Sequence, residues 1–146
     1  MWTALLKDLT VSGRAQAGVQ KKWGKKSLSW TVYKINNLIN GKVYIGIVNE
    51  KYKSIQDRLD EHIDVADQGG FYTTSGRRYA LHSAIIKYGS ENFDVEALEN
   101  DLSLEAAQEL ERLYIIEYNS LANGIDSDGY NMSEGGEEPD YYISEN

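Results

Sequence analysis

The chain has 146 residues, 41% hydrophobic and 26% charged, with 15 Lys and Arg against 23 Asp and Glu and a formal net charge of −8. That length fits one domain with a buried core, and the absence of cysteine excludes both a disulfide framework and a thiolate metal site. Two histidines, His62 and His82, are too few for a multi-histidine zinc site. No apolar run reaches membrane length, and the N-terminus lacks the features of a signal peptide, so a cytoplasmic protein is expected.

The charge is uneven. Residues 1–30 carry six basic residues (Lys7, Arg14, Lys21, Lys22, Lys25 and Lys26) and one acid, Asp8, for a net +5. The remainder has 9 basic and 22 acidic residues, net −13, and seven of those acids fall between Asp126 and Glu145, where no basic residue occurs. Three segments follow: a basic, weakly structured arm over 1–29, a body over 30–136, and an acidic tail over 137–146. The arm admits a helix only around Trp2 to Leu9 and is interrupted by Gly13, Gly18 and Gly24. Its Lys21-Lys22-Trp23-Gly24-Lys25-Lys26 run suits phosphate backbones and stacked bases, or serves as a solvated lead-in.

Two apolar runs, Trp30 to Ile35 and Val43 to Val48, flank residues 36–42. Asn40-Gly41 predicts a hairpin between them, because both residues tolerate positive φ. Each strand carries a tyrosine, Tyr33 and Tyr44. Ser54 predicts a helix N-cap, with Asp57 completing a capping box. Ile55, Leu59, Ile63 and Ala66 then recur at helical spacing, and Gly69-Gly70 ends the helix. Arg58 and His62, four residues apart, stack on one face beside that apolar stripe. Such a pair serves either a core margin or a ligand. Phe71 to Arg78 reads as a polar loop closing on Arg77-Arg78.

A second helix is predicted from about Tyr79 to Tyr88, with Leu81, Ala84, Ile85 and Tyr88 apolar and His82 structural. Lys87 suits its negative end, and Gly89 is its left-handed cap. Phe93, Val95, Ala97 and Leu98 predict a third strand. Ser103 caps a third helix, with Glu105 in the first turn and Leu104, Ala107, Tyr114, Ile115 and Tyr118 as its stripe. Glu111 falls within that stripe, whereas Glu109 and Glu117 fall on the wet face. A carboxylate on a packing face is costly unless it is paired, protonated or bound to a cation. A salt bridge to a core-margin arginine such as Arg58 and a metal site both stay open. The turn-rich stretch Asn119 to Gly129 then delivers Gly129-Tyr130-Asn131 and Ser133-Glu134-Gly135-Gly136.

Two strand tyrosines, an Arg/His helix pair, a carboxylate on an apolar face and a late asparagine are the residue types that phosphodiester hydrolysis needs. That reaction requires a cation against developing charge, a base for water, and donors around the phosphate. Glu111 can hold one hard metal through oxygen, which suits Mg²⁺, or Mn²⁺, with most of its waters retained.

The chain resembles the GIY-YIG nuclease family, most closely its phage and intron-type, homing-like endonuclease branch. The resemblance runs from about Thr31 to Gly136. It rests on Thr31-Val32-Tyr33-Lys34-Ile35, Asn40-Gly41-Lys42-Val43-Tyr44-Ile45-Gly46, Arg58 through His62, Ala84 through Phe93, Glu111 through Ser120, Gly129-Tyr130-Asn131 and Gly135-Gly136. Thr31 and Val32 replace the family's glycine and isoleucine and keep a strand-compatible backbone.

The resemblance implies an α/β (α+β) fold, a small sandwich with a central three-stranded antiparallel sheet flanked by helices. It implies a Mg²⁺-dependent DNA endonuclease, leaving 3′-hydroxyl and 5′-phosphate ends, in the host cytoplasm if phage-encoded. Carried over, Tyr33 is the general base or positions the water, with Tyr44 hydrogen-bonding nearby. Arg58 contacts the scissile phosphate, His62 accepts or relays the tyrosine proton, Glu111 binds the metal, and Asn131 fixes the site. A tyrosine, with its ordinary pKa near 10, needs a neighbouring cation or proton acceptor to act as a base. Lys34, Lys42, Arg77, Arg78 and Lys87 are candidate DNA contacts. DNA is the expected partner, with no membrane, and a homodimer on DNA or a partner protein would supply specificity. The alternatives are a catalytically silent DNA-binding module or autorepressor, and an acidic protein-interaction protein.

Overall fold

Strand β1 (Trp30–Asn37) pairs antiparallel on one side with β2 (Val43–Asn49) and on the other with β3 (Phe93–Leu102), giving the sheet order β2-β1-β3. These elements belong to a computed structural model that describes residues 28–122 and 127–135. The basic arm as far as residue 27, including the Trp2 to Leu9 helix, lies outside the described residues, as do Gly136 and the acidic tail.

The chain continues from β2 through α1 (Ile55–Asp67), α2 (Ala80–Tyr88) and a single 3-10 turn (Ser90–Asn92) to β3, and then α3 (Leu104–Glu117). The expected three-stranded antiparallel sheet flanked by helices is therefore present, an α+β fold. Alternate side chains of a strand face opposite ways. Trp30 and Val32 of β1, with Val43, Ile45 and Ile47 of β2, pack against Ala107, Leu110, Tyr114 and Ile115 of α3. Tyr33, Ile35 and Val48 point the other way, onto Leu59 and Ala66 of α1 and Leu81, Ala84 and Ile85 of α2. Both faces are covered, so β1 reads as a continuous apolar run rather than an alternating one.

The helices begin where the sequence says. Ser54 accepts from the Asp57 backbone N–H at 3.0 Å, and the Asp57 carboxylate accepts from the Ser54 N–H at 2.9 Å, a complete capping box. Ser103 accepts from the Ala106 N–H at 3.1 Å. Among the described residues, no helix is long and apolar enough to cross a membrane.

Three local expectations change. The hairpin connection spans Leu38 to Lys42, and among Asn40 and Gly41 only Gly41 has positive φ. Asn40 instead accepts from the Lys42 N–H through its side chain, at 2.9 Å, an Asx turn. Strand β3 runs on past Leu98 to Leu102. Its second half, Glu99-Asn100-Asp101, is too polar to read as strand but completes the ladder to Trp30 and Val32, with register shifts and a positive φ of 59° at Asp101. Gly89 has φ 91° but ψ 136°, so it turns the chain out of α2 without closing a left-handed cap.

Candidate active site

The outer edge of β2 is sealed by a segment from far along the chain. The Val43 N–H donates to the Asp128 carbonyl at 3.1 Å, and the Tyr130 N–H donates to the Val43 carbonyl at 2.9 Å. One residue pair further along, the Asn131 side chain takes over. Its Oδ1 accepts from the Ile45 N–H at 2.9 Å and from the Ser120 hydroxyl at 2.8 Å, and its Nδ2 donates to the Ile45 carbonyl at 2.8 Å. Asn131 thus imitates the next backbone unit of a neighbouring strand. It fixes Tyr44 and Gly46 from the residue between them, as a positioning residue. Tyr130 adds a second tie, because its hydroxyl accepts from Asn37 Nδ2 at 3.0 Å and from Asn40 Nδ2 at 3.2 Å.

Gly46 faces Tyr33 across the β1–β2 ladder. A Cβ at Gly46 would overlap the Tyr33 hydroxyl and stand 2.5 Å from its Cζ. The phenol therefore lies flat across the edge strand where a side chain is missing. This is the physical reason for a glycine two residues after Tyr44. Tyr33 is only 1% exposed, whereas Tyr44 is partly exposed, with the ring centroids 6.5 Å apart.

The Tyr44 ring meets His62 edge-on, centroids 5.3 Å apart. Arg58, one turn before His62, is 6% exposed, and its Nη1 pairs with Glu61, which Lys53 braces from the other side at 2.6 Å. His62 is 9% exposed, and burial, then the Arg58 charge, then His82 hold its pKa well below 6.5. The residue read as merely structural, His82, lies against it: His62 Nδ1 and His82 Nε2 are 3.1 Å apart. His82 is stacked on Tyr79 and met edge-on by Phe71. No sequence pattern marks this pair, whose members are 20 residues apart on different helices.

Glu111 is half-buried on α3, on the opposite side of the sheet from the tyrosines. Its neighbour is the late loop. A Cβ at Gly135, φ 88°, would stand 3.3 Å from Glu111 Oε1, so this glycine lets the chain cross directly over the carboxylate. Asn131, four residues earlier, is on Ile45, a chain reach of about 13 Å. Among the described residues, no cluster of three or more His, Cys, Asp or Glu forms a protein-only metal cage. One hard, partly buried carboxylate fits Mg²⁺ or Mn²⁺ held otherwise by water and phosphate oxygens.

The candidate DNA contacts divide. Lys42 and Lys87 line one cleft of about 320 Å³ with Asn40, Ser83, Tyr88 and Tyr130. Arg77 is exposed on its loop, and Arg78 lies over the Tyr72 ring, donating to its hydroxyl through Nε at 3.3 Å and Nη2 at 3.1 Å. Lys34 does not join them. It points to the α3 face, with Nζ 4.6 Å from the Tyr118 ring centre and 3.8 Å from Glu96.

No protein-family model and no curated protein matches the chain. Among solved structures it is similar to the catalytic domain of intron endonuclease I-TevI, in a glutamate-to-alanine mutant form. The likeness has a TM-score of 0.55 and 25% identity, and covers 76% of this chain and 97% of that domain. That domain is a GIY-YIG nuclease, and the similarity supports a nuclease here. Likeness in space falls on the same family as likeness in sequence: the chain carries the fold of the GIY-YIG nuclease catalytic domain.

Proposed function

We propose that this chain is a Mg²⁺-dependent DNA endonuclease of the phage or mobile-element kind. The observation that carries the reading is the Tyr33 hydroxyl laid across Gly46, beside the Tyr44, His62 and Arg58 group.

In this reading Tyr33 acts as the phenolate, its own proton having passed to solvent: its oxygen takes a proton from the attacking water, and Tyr44 orients that water from the partly exposed side. Arg58, held in one orientation by Glu61, stabilises charge building on the phosphate. Glu111 would hold the metal, which supplies Lewis-acid polarisation of the phosphate when bound. Asn131 and Ser120 keep the edge strand in register. Lys42 and Lys87 carry the flanking backbone along their cleft, and Arg77 and Arg78 contact it from their loop.

The test is nicking of supercoiled plasmid with Mg²⁺ by the wild type and by Glu111→Ala. Cutting is expected of the first and not of the second. Intact plasmid and branched DNA under every divalent metal would sink the enzyme reading, and equal cutting by Glu111→Ala would sink the metal assignment. A second assignment is favoured by exposure: Tyr44 reaches solvent more readily than Tyr33, so Tyr44 is the base and Tyr33 its partner. Tyr33→Phe and Tyr44→Phe distinguish the two, because loss of the base costs more.

A further inference from the structure

The hydrogen-bond order of the buried histidine pair is set from outside it. The Phe71 backbone N–H lies 3.0 Å from His82 Nδ1. A backbone N–H only donates, so Nδ1 of His82 carries a lone pair. His82 then bears its single proton on Nε2, 3.1 Å from His62 Nδ1. That nitrogen must accept, so neutral His62 bears its own proton on Nε2. His62 Nε2 is buried and has no hydrogen-bond partner among the described residues. Among the described residues, the charged or titratable groups that face or adjoin the ring include Arg58 on the same helix, His82 from α2 and Tyr44 from β2.

We infer that His82 is a positioning residue that fixes His62 as an N–H donor, and that the empty donor is complementary to an anionic oxygen of the substrate phosphate. The choice of ligand rests on the nuclease reading above. A buried N–H with no acceptor is destabilising unless something arrives to take it. The neighbouring Arg58 guanidinium disfavours a cation there and favours an anion. The order also reverses the role that the resemblance implies for His62. To accept a tyrosine proton at Nε2, neutral His62 would carry its own proton on Nδ1. His82 would then need its lone pair on Nε2 and its proton on Nδ1, directly against the Phe71 N–H.

Gly70 makes the device possible. It has φ 85°, and a Cβ there would stand 3.0 Å from His82 Cβ and 3.1 Å from Arg78 Cγ and Cδ. The turn after α1 therefore runs close enough to α2 to deliver the Phe71 N–H.

The experiment combines ring-nitrogen NMR with cleavage. Long-range ¹H–¹⁵N spectra near neutral pH are expected to show His62 as the Nε2–H form in the wild type. His82→Gln keeps the order, since its carbonyl accepts from Phe71 and its amide donates to His62. It should retain at least about a tenth of wild-type nicking. His82→Glu offers His62 only acceptors and, at a pH where the ¹⁵N spectrum shows His62 still neutral, turns it to the Nδ1–H form, which should lower nicking about 10²-fold or more while the fold persists. If His82→Glu misfolds, the wild-type spectrum and the His82→Gln rate still decide. Wild-type His62 in the Nδ1–H form, or full cutting by a folded His82→Glu protein, overturns the inference. A wild type that cuts no DNA while showing Nε2–H would defeat the nuclease reading and the phosphate assignment with it, leaving the histidine order standing.

Discussion

The two faces of the sheet are built on different principles. Against α3, the sheet buries Trp30, Val32, Val43, Ile45, Ile47, Leu102, Ala107, Leu110, Tyr114 and Ile115, with the uncharged Ser103 and Ser120 hydroxyls at the two ends of that helix. Against α1 and α2, the same sheet buries Arg58, His62 and His82 together with Tyr33 and Tyr130. Buried ionisable groups cost free energy that apolar packing does not, and proteins keep them where charge or directed hydrogen bonds are needed. One face therefore stabilises the sheet, and the other spends part of that stability on the buried polar groups of the candidate site. Glu111 is the exception on the α3 side, half-buried and reached by the loop that wraps the β2 edge.

Substitutions on the two faces should separate activity from stability. The largest effect is expected from Glu111→Ala, which should reduce Mg²⁺-dependent nicking by about 10³-fold or more, with the melting temperature held within about 3 °C. Leu110→Ala should do the opposite. It removes a fully buried side chain and should cost about 3 kcal/mol in urea unfolding, with specific activity of the folded protein unchanged. Gly46→Ala crosses the divide, because its Cβ displaces the Tyr33 phenol. It should cost about 1–3 kcal/mol and reduce nicking about 10²-fold. Equal damage to activity from Leu110→Ala and Glu111→Ala would erase the division of labour.

The smallest effect is one of pH. The folded pKa of His62 lies below its unfolded value of 6.5, so the unfolded chain binds the extra proton. Its contribution to stability is full above that unfolded value and is lost as pH falls from there through the folded one. The slope is at most about 1.4 kcal/mol per pH unit. Thermal melts between about pH 8 and about pH 5 should show this loss, and His62→Gln should flatten it. An unchanged slope in that variant would place the acid sensitivity elsewhere.

Much of this was legible in the residues. Ser54 with Asp57, and Ser103, announce their helices because a capping side chain satisfies orphan N–H groups locally. The polar end of β3 was not legible, since Glu99 to Asp101 become strand only through their ladder to β1. Lys34 follows Tyr33 in sequence, yet alternation sends it to the α3 face, opposite the Tyr33 phenol. Asn131 could be named a site residue from its motif, but its role as a surrogate strand for Ile45 could not.

By itself the sequence determined the elements, their order, the apolar faces and the residue types of the site. These follow from caps, turns and periodicities that act over a few residues. Only the tertiary structure decided that Tyr33 crosses the chain at Gly46, that Asn131 seals the edge 86 residues away, and that His82 orders His62. Such meetings depend on strand register and helix packing, which are settled jointly by the whole core, and no local pattern in the chain encodes them.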